Sequence, residues 1–268
     1  MKNIKYVLFS ALILTTALVV VTSCGKEDLG APALESRVKI FHAVVDAPTT
    51  GVDVIVDGQV IDLNKTVTLT VGGLTGSVPV RDTLFYGRQY PSDSTYMGLK
   101  PGDHSFVLAP YGKTTPAVLD AKANLESGKS YTIFATDTLN KISPVVIKDE
   151  LPGAINKKAG FRFIHMSPDG PTVDVLRIRG TDTVALFSGI TYKTATPFVQ
   201  VDTSVGTTGT FKTDYVVRQA GTPGVSKTVR NFSAAALANG RIYSLVLRGF
   251  VGRTGTQGIN ATLMTNAR

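Results

Sequence analysis

The architecture of this chain can be predicted from two stretches of its sequence, VKIFHAVVDAP (residues 38–48) and FRFIHMSPDGP (residues 161–171). Each stretch ends in turn residues, and each is followed by a short apolar segment with a central aspartate, at 52–54 and at 173–175. A short apolar run bounded by Pro, Asp and Gly is typical of a buried β-strand. The pattern therefore predicts a strand, a turn and a second strand, and it predicts them twice.

The two stretches belong to a longer internal repeat. A second pair of segments, LESGKSY (residues 125–131) and LANGRIY (residues 237–243), follows the first pair in the same order. So long a period indicates two whole domains rather than the small units of a solenoid. Three pairs of polar residues form the repeat motif: His42 with His165, Asp46 with Asp169 and, after a two-residue contraction, Asp53 with Asp174.

We predict an all-β fold with two tandem immunoglobulin-like β-sandwich domains. Thr, Val and Gly are abundant and Glu is scarce, which argues against a mostly helical chain. Short strands separated by turn signals are typical of sandwiches. The predicted strands are 38–44, 52–56, 67–71, 104–109, 131–136, 145–147, 161–165, 173–178, 210–217, 242–248 and 259–264. The predicted segments are a signal peptide (1–23), a lipidated tether (24–36), a first sandwich (37–148), a linker (149–159) and a second sandwich (160–268).

Two tyrosines close the repeated L-x-x-G-x-x-Y pattern. Tyr131 and Tyr243 are therefore predicted to form tyrosine corners, in which the phenol hydroxyl bonds back to the backbone a few residues upstream. A three-residue loop with a glycine turn before any strand would give the same letters.

The first segment is predicted to be a lipoprotein signal peptide. Lys2 and Lys5 precede an apolar run (residues 6–21) that is too short for a membrane span and suits a signal-peptide core. The following tetrapeptide, VTSC, resembles the bacterial lipobox, and the resemblance implies acylation of Cys24. An ordinary signal peptide followed by an incidental cysteine is the alternative. Cys24 is the single cysteine of the chain, which excludes an internal disulfide and a multi-cysteine metal site.

The residues after Cys24 bear on the destination of the protein. Lys26, Glu27 and Asp28 form a segment that resembles the lipoprotein export signal of Bacteroidetes-type bacteria. This resemblance implies a lipid anchor in the outer membrane and exposure at the cell surface. The periplasmic face of that membrane is the alternative.

The repeat motif itself resembles a known family. Residues 161–175 follow the phrase R-F-x-H-A-S-P-D-A-P-x-V-D-V, with Met166 and Gly170 in place of the two alanines. This phrase is similar to one in bacterial lipoproteins that carry the domain of unknown function 4397. The first copy departs more, because Val44-Val45 replaces Ser-Pro and the turn is longer. The resemblance implies an exported β-sandwich and supplies no reaction.

The motif residues have two interpretations. They could hold a metal or act as acid and base. Alternatively, each histidine closes a strand and bonds a turn carboxylate, while Asp46 and Asp169 cap their own turns. The structural interpretation is preferred, because recurrence in both copies favours scaffolding and no further ligand has metal-site spacing. His104 is interpreted as a turn residue. G-x-S-x-G, phosphate-loop and H-E-x-x-H signatures are missing, so we predict no enzyme, no metal and no cofactor.

Charge and aromatic residues suggest partners. Residues 24–158 carry 14 basic and 15 acidic side chains, whereas residues 159–268 carry 12 and 5, so a polyanionic envelope polymer would suit the second half. Basic runs with interleaved aromatics are missing, which argues against nucleic acid. Four residues are predicted as possible glycan contacts, although strands with core tyrosines would explain them too: Tyr86, Arg88, Tyr90 and Tyr96.

The function predicted from the sequence is a non-catalytic cell-envelope lipoprotein. It would serve as a surface binding or structural module for glycan or another envelope component, with the membrane as partner through its lipid. The alternatives are a hydrolase that acts on glycans or peptides with Asp and His residues, and an assembly subunit of an envelope complex.

Overall fold

The structure is a computed structural model that describes residues 34–47, 49–61, 65–71, 74–80, 83–153, 155, 157–203, 213–224, 227–232 and 237–267. Most of these residues lie in β-strands, and no α-helix occurs among them, so the all-β prediction is confirmed. No helix within this part of the chain has the length and hydrophobicity needed to cross a membrane. The predicted signal peptide, Cys24 and the export segment of Lys26, Glu27 and Asp28 lie outside the described residues.

The described residues form nineteen strands. The strands of the first half are β1 (Ser36–Val44), β2 (Val52–Val56), β3 (Gln59–Ile61), β4 (Lys65–Val71), β5 (Leu74–Val80), β6 (Gln89–Tyr90), β7 (Met97–Leu99), β8 (Gly102–Pro110), β9 (Leu119–Leu125), β10 (Ser130–Asp137) and β11 (Ser143–Lys148). Those of the second half are β12 (Lys158–Met166), β13 (Val173–Arg179), β14 (Asp182–Ile190), β15 (Val199–Asp202), β16 (Thr213–Gln219), β17 (Thr228–Phe232), β18 (Ile242–Arg248) and β19 (Asn260–Ala267).

Four sheets organise these strands, and β4 and β5 form a separate hairpin. Sheet I has the order β11-β10-β1, with β6 and β7 both paired to the outer side of β1, and sheet II has the order β3-β2-β8-β9. Sheet III (β19-β18-β12-β15) and sheet IV (β14-β13-β16-β17) repeat these two orders, with β15 in the place of β6 and β7. In both halves the first strand pairs in parallel with the strand that carries the predicted tyrosine corner, β1 with β10 and β12 with β18.

Three apolar cores hold the sheets in layers. One core joins sheets I and II and contains Ile40 and Ile133, and a second joins sheets III and IV and contains Phe163 and Leu245. The residues next to these along their strands point to the opposite faces, where a third core joins sheet I to sheet III. The members of the third core are Phe41, Ala43, Phe134, Ile164, Met166, Val246 and Met264. The layers therefore follow the order II, I, III, IV, and the two central sheets are covered on both faces.

Local signals positioned several of these elements. Asp57 and Gly58 form the two-residue turn between β2 and β3, and both have the positive φ (51° and 78°) that such a turn requires. β1 begins at Ser36, inside the predicted tether, and β12 begins at Lys158, inside the predicted linker. Asp149, at the start of that predicted linker, is buried, so this part of the segment belongs to the packed structure.

Candidate functional site

The first aspartate of the repeat motif holds a neighbouring loop. The Asp46 carboxylate accepts the backbone N–H of Leu139 at 2.8 Å, and the Asp169 carboxylate accepts that of Val251 at 2.9 Å. The prediction that each caps its own turn is therefore wrong. The physical reason is the parallel pairing of β1 with β10 and of β12 with β18, which places the turn after one strand beside the loop after the other.

The second aspartate of the motif holds the next hairpin. Asp53 and Asp174 are both buried, and their carboxylates accept the backbone N–H groups of Gly112 at 2.9 Å and Gly221 at 3.2 Å. Asp174 also accepts the N–H of Gly189 at 3.0 Å. A buried carboxylate that accepts N–H groups fixes the backbone of the loops around it. The motif aspartates therefore position loops at one end of each half.

The motif histidines do not bond turn carboxylates, and that prediction is wrong. The Nδ1 of His42 accepts the N–H of Val44 at 3.4 Å, and the Nδ1 of His165 accepts that of Ser167 at 3.3 Å. His165 donates from Nε2 to the Pro171 carbonyl at 3.1 Å, whereas Nε2 of His42 has no hydrogen-bond partner in the described structure. Burial lowers the pKa of His42 to about 4 and also lowers the pKa of His165, so both rings are neutral at neutral pH.

The two predicted tyrosine corners have matching geometry. The Tyr131 hydroxyl accepts the backbone N–H of Glu126 at 3.2 Å, and the Tyr243 hydroxyl accepts that of Ala238 at 3.1 Å. Both bonds reach back five residues, to the start of the turn that leads into the strand. They satisfy N–H groups that would otherwise be left unpaired as the chain enters the core.

The three tyrosines among the predicted glycan contacts do not form an open aromatic surface, and their role in binding stays a prediction. Tyr86 and Tyr96 are half-buried, and their rings are covered by the Arg248 guanidinium at 4.6 Å and the Lys39 ammonium at 4.9 Å. Tyr90 packs against the first core. A cation over one face of a ring occupies that face and leaves less of the ring for a sugar. Arg88 is exposed and is the member of this group that remains accessible.

A buried ring of hydrogen bonds joins the two halves. Arg162 donates to Asp149 at 2.5 Å and to Ser244 at 2.7 Å, and Tyr96 donates to Asp149 at 2.9 Å. Asn266 closes the ring, because it donates to the Tyr96 hydroxyl at 3.0 Å and accepts from Ser244 at 2.6 Å. Each charge is thus paired and hydrogen-bonded, as a buried ion pair requires.

Lys39 lies beside this ring and is fully buried. Its ammonium donates to the backbone carbonyl of Asp93 at 2.7 Å. Burial lowers the pKa of Lys39 to about 8, although the carboxylates of Asp93 and Asp149 oppose the shift. The residue is part of the junction between the sheets rather than of an accessible site.

His104 lies in β8, so its interpretation as a turn residue is wrong. It borders an open cleft of about 660 Å³ with Asp57, Lys122 and Asn124. Its Nδ1 is 2.7 Å from the Asp57 carboxylate, and its Nε2 is 2.7 Å from the Lys100 carbonyl. Both partners are acceptors, so the protonated ring, which donates from both nitrogens, is favoured here. Burial opposes the shift, but the two hydrogen bonds raise the pKa of His104.

A different group of residues is exposed at the opposite end of the first half. The backbone of Val52 pairs with Leu84 on one side and with Pro110 on the other, both antiparallel. Gly51 therefore lies between Phe85 and Tyr111. These two side chains are 46% and 49% exposed. A Cβ atom added to Gly51 would clash with the Thr83 side chain and lie 3.3 Å from the Phe85 ring, so both side chains lie against the glycine.

Phe85 and Tyr111 belong to two similar turns, at 85–88 (FYGR) and at 110–113 (PYGK). The Arg88 N–H bonds the Phe85 carbonyl at 3.0 Å, and the Lys113 N–H bonds the Pro110 carbonyl at 2.9 Å. The third residue of each turn is a glycine, with φ of 74° at Gly87 and 70° at Gly112. We call this pair the Tyr-Gly turns, because each contains Tyr-Gly followed by a basic residue.

Among the described residues, no group of three or more His, Cys, Asp or Glu side chains could hold a metal.

The sequence contains a signal for the Tyr-Gly turns, but this signal is not part of the repeat motif. The tripeptides Tyr86-Gly87-Arg88 and Tyr111-Gly112-Lys113 are similar, but their residues showed no strand periodicity. The buried ring left no local signal, because Tyr96, Asp149 and Asn266 are far apart in the chain.

The chain is similar to several solved structures at low sequence identity. A presumed cell adhesion protein of Bacteroides fragilis is 8% identical, with 88% of this chain and 98% of that chain covered and a TM-score of 0.24. A presumed adhesin of Bacteroides ovatus is 11% identical, with 91% and 95% covered and a TM-score of 0.26. The carbohydrate-binding module CBMbc (family CBM26) of Amy13K from Eubacterium rectale, in complex with maltoheptaose, is 10% identical, with 88% and 98% covered and a TM-score of 0.24. TM-scores this low do not show a shared fold, so nothing about this chain follows from them.

The family comparison is firmer. No curated protein matches the chain. The family model described as "Domain of unknown function (DUF4397)" matches residues 36–176, which is more than half of the chain and runs from the first residue of β1 into β13. The match includes the whole first copy of the repeat motif and the polar motif residues of the second. The chain therefore belongs to the DUF4397 family.

Proposed function

We propose that the protein is a non-catalytic binding module of the bacterial cell envelope, anchored through lipid on Cys24 at the outer membrane and exposed at the cell surface. The proposal rests on the hydrogen bonds that the motif aspartates make with loop backbone. Asp46, Asp53 and their counterparts in the second half accept backbone N–H groups of loops, so they build a rigid loop-bearing end. Binding residues are commonly carried by loops that a rigid scaffold positions.

The histidines argue against acid–base catalysis. Both ring nitrogens of His104 lie 2.7 Å from acceptor oxygens, the Asp57 carboxylate and the Lys100 carbonyl, so neither nitrogen is open to a substrate. His42 and His165 are buried within their sheets. The hydrolase alternative therefore lacks a histidine base in the cleft beside Asp57.

The directions of the strands support a loop end that faces away from the membrane. Contacts such as Thr136 with Met166 and Arg248 with Tyr86 bring the carboxyl ends of β10, β12 and β18 to the same side of the molecule. β1 starts at Ser36 on the opposite side, next to the β9–β10 turn. Residues 24–33 could span at most about 35 Å. A lipid on Cys24 would therefore hold the Ser36 side towards the membrane and leave the loop end away from it.

A binding screen tests the proposal. The purified full chain, without lipid in a Cys24→Ser form, is titrated against a panel of envelope glycans, lipopolysaccharide and peptidoglycan fragments, and each mixture is then analysed by mass spectrometry. We expect saturable binding of at least one polymer and no change in its mass. Time-dependent cleavage that is lost in Asp57→Asn would favour the hydrolase alternative, and absence of binding to every polymer would contradict the proposal.

A further inference from the structure

We propose that the two Tyr-Gly turns form a binding site for an acidic glycan, a polysaccharide that carries carboxylate, sulfate or phosphate groups. The inference rests on the proposed function and goes further, because it names the site and the chemistry of the ligand. The site consists of Phe85 and Arg88 from one turn and Tyr111 and Lys113 from the other, with Gly51 between them.

The aromatic residues suit the face of a sugar ring. Phe85 and Tyr111 are both exposed, and they lie in two segments on either side of Gly51. Two neighbouring strand spacings separate these segments by about 10 Å, which is comparable to the length of a disaccharide. Because Gly51 has no side chain, nothing from this residue stands between the two turns. Rings presented in this way offer large rigid contact area at low entropic cost.

The basic residues suit the charge of the ligand. Arg88 and Lys113 close the two turns and are exposed. The carboxylates of Asp46 and Asp53 lie at the same end but accept backbone N–H groups, which offsets part of their negative charge. An exposed guanidinium binds a carboxylate or phosphate in a two-pronged geometry, and an ammonium adds a point charge. The surface therefore favours an acidic glycan over a neutral one.

The backbone of both turns is held in advance by motif residues. The Gly87 N–H bonds the His42 carbonyl at 2.7 Å, and the Gly112 N–H bonds the Asp53 carboxylate at 2.9 Å. Each turn is also closed by its own hydrogen bond. A site on a prearranged backbone loses little conformational entropy when the ligand binds.

The second half provides an internal comparison, because it keeps the scaffold but not the binding residues. Lys193 N–H bonds the His165 carbonyl at 2.8 Å, as Gly87 does with His42, and Gly221 bonds Asp174, as Gly112 does with Asp53. At the four positions of the proposed binding residues, however, the second half has neither aromatic nor basic side chains, and its exposed basic residue in these turns, Lys193, stands at the position of Gly87. The equivalents of Phe85, Arg88, Tyr111 and Lys113 are Thr191, Thr194, Ala220 and Thr222.

This comparison supplies the test variants. Phe85→Thr with Tyr111→Ala removes the aromatics, and Arg88→Thr with Lys113→Thr removes the charges, and each introduces residues that the same scaffold accepts in the second half. The control is Val60→Ala with Lys100→Gln, which changes an exposed apolar and an exposed basic residue at the other end of the sandwich. Thermal denaturation checks that all variants remain folded.

The probes are oligogalacturonates, heparin oligosaccharides and lipid-free phosphorylated lipopolysaccharide cores, each beside its methyl-esterified, desulfated or dephosphorylated form. We expect the full chain to bind at least one acidic probe, more weakly at high salt, and at least about tenfold more tightly than its neutral form. Each double variant should lower the affinity at least about tenfold, and the control should not.

Three outcomes overturn parts of the proposal separately. Binding of an acidic probe that both double variants retain shows that the site is wrong and leaves the proposed function standing. Equal binding of acidic and neutral probes shows that the ligand class is wrong. Failure of every glycan to bind overturns the inference, and the proposed function then fails too if the wider envelope panel is also not bound.

Discussion

His42 and His104 are histidines whose pKa values the fold moves in opposite directions. The pKa of His42 is lowered from 6.5 to about 4, so its contribution to stability is fully present above pH 6.5 and is lost as the pH falls towards 4. The pKa of His104 is raised, so its contribution is present below pH 6.5 and is lost as the pH rises through the raised value. Mildly acidic solution should therefore weaken the protein through His42 and, in the same direction, through His165, whose pKa is also lowered by burial.

We expect His42→Gln to remove the part of this acid sensitivity that comes from His42 and to leave the part that comes from His165. The free energy of unfolding of the parent chain should fall by on the order of 3 kcal/mol between about pH 6.5 and about pH 4 on account of His42, and the variant should show a smaller fall. Urea denaturation at several pH values measures both slopes. His104→Gln is the control and should keep the acid sensitivity. Equal slopes in the parent chain and His42→Gln would contradict the prediction.

Arg162 is the residue on which the buried ring depends. Arg162→Met should lower the free energy of unfolding by about 3–5 kcal/mol, because it leaves the Asp149 carboxylate buried without its cation. The double variant Arg162→Met with Asp149→Asn should recover part of the loss, since it removes the uncompensated charge. Urea denaturation of the two variants provides the measurement. A single variant as stable as the parent would show that the ring contributes little.

At the scale of elements, the tyrosine corners allow a matched comparison between the halves. Tyr131→Phe and Tyr243→Phe each remove the hydroxyl that accepts a backbone N–H, so each should cost about 1–2 kcal/mol. Thermal denaturation measures the loss of stability. If neither corner variant were less stable than the parent chain, water would be replacing the hydroxyl.

Strands with apolar residues at regular spacing could be predicted from the sequence, and other elements could not. Two predicted strands, 52–56 and 242–248, have the same limits in the structure as β2 and β18. β7 is only three residues long, and β14 has mostly exposed side chains, so neither carries a periodic signal. The parallel pairing of β1 with β10 depends on contacts between distant segments, and no local pattern encodes it.

The candidate site likewise contains some residues that could be identified from the sequence and others that could not. The repeat motif identified the residues that build the loops, but the roles of Asp46 and Asp169 depend on loops more than 80 residues away in the chain. Phe85 and Tyr111 are 26 positions apart, and the pairing of Val52 with Leu84 and Pro110 brings them to either side of Gly51. Repetition in the sequence thus indicates scaffold, whereas the exposed residues that differ between the halves are the better candidates for binding.

At the scale of the molecule, the third core makes the two halves depend on each other. Phe41 and Phe134 of sheet I would face water if the second half were removed, as would Ile164 and Met264 of sheet III. We expect residues 24–150 and 151–268, produced together as separate chains, to purify as a one-to-one complex. Analytical ultracentrifugation checks this, and two folded monomers would contradict it.

The anchor can be tested on the whole cell. Cys24→Ala should move the protein from the membrane pellet to the soluble fraction, because it removes the proposed acylation site, and Ser23→Ala should leave it in the pellet. Protease added to intact cells should degrade the parent protein. A Cys24→Ala variant that still sediments with membranes, or full protection from protease, would contradict the anchoring or the surface exposure respectively.

The parallel pairing of β1 with β10 has a mechanical consequence. Tension between a membrane anchor on the Ser36 side and a ligand held at the loop end would act along the direction of β1. Its hydrogen bonds to β10 run across that direction, so they would be sheared together rather than opened one after another. A cell-surface module built in this way should resist pulling through its terminus far better than peeling of the edge strand β11, and single-molecule force spectroscopy along the two directions would measure the difference.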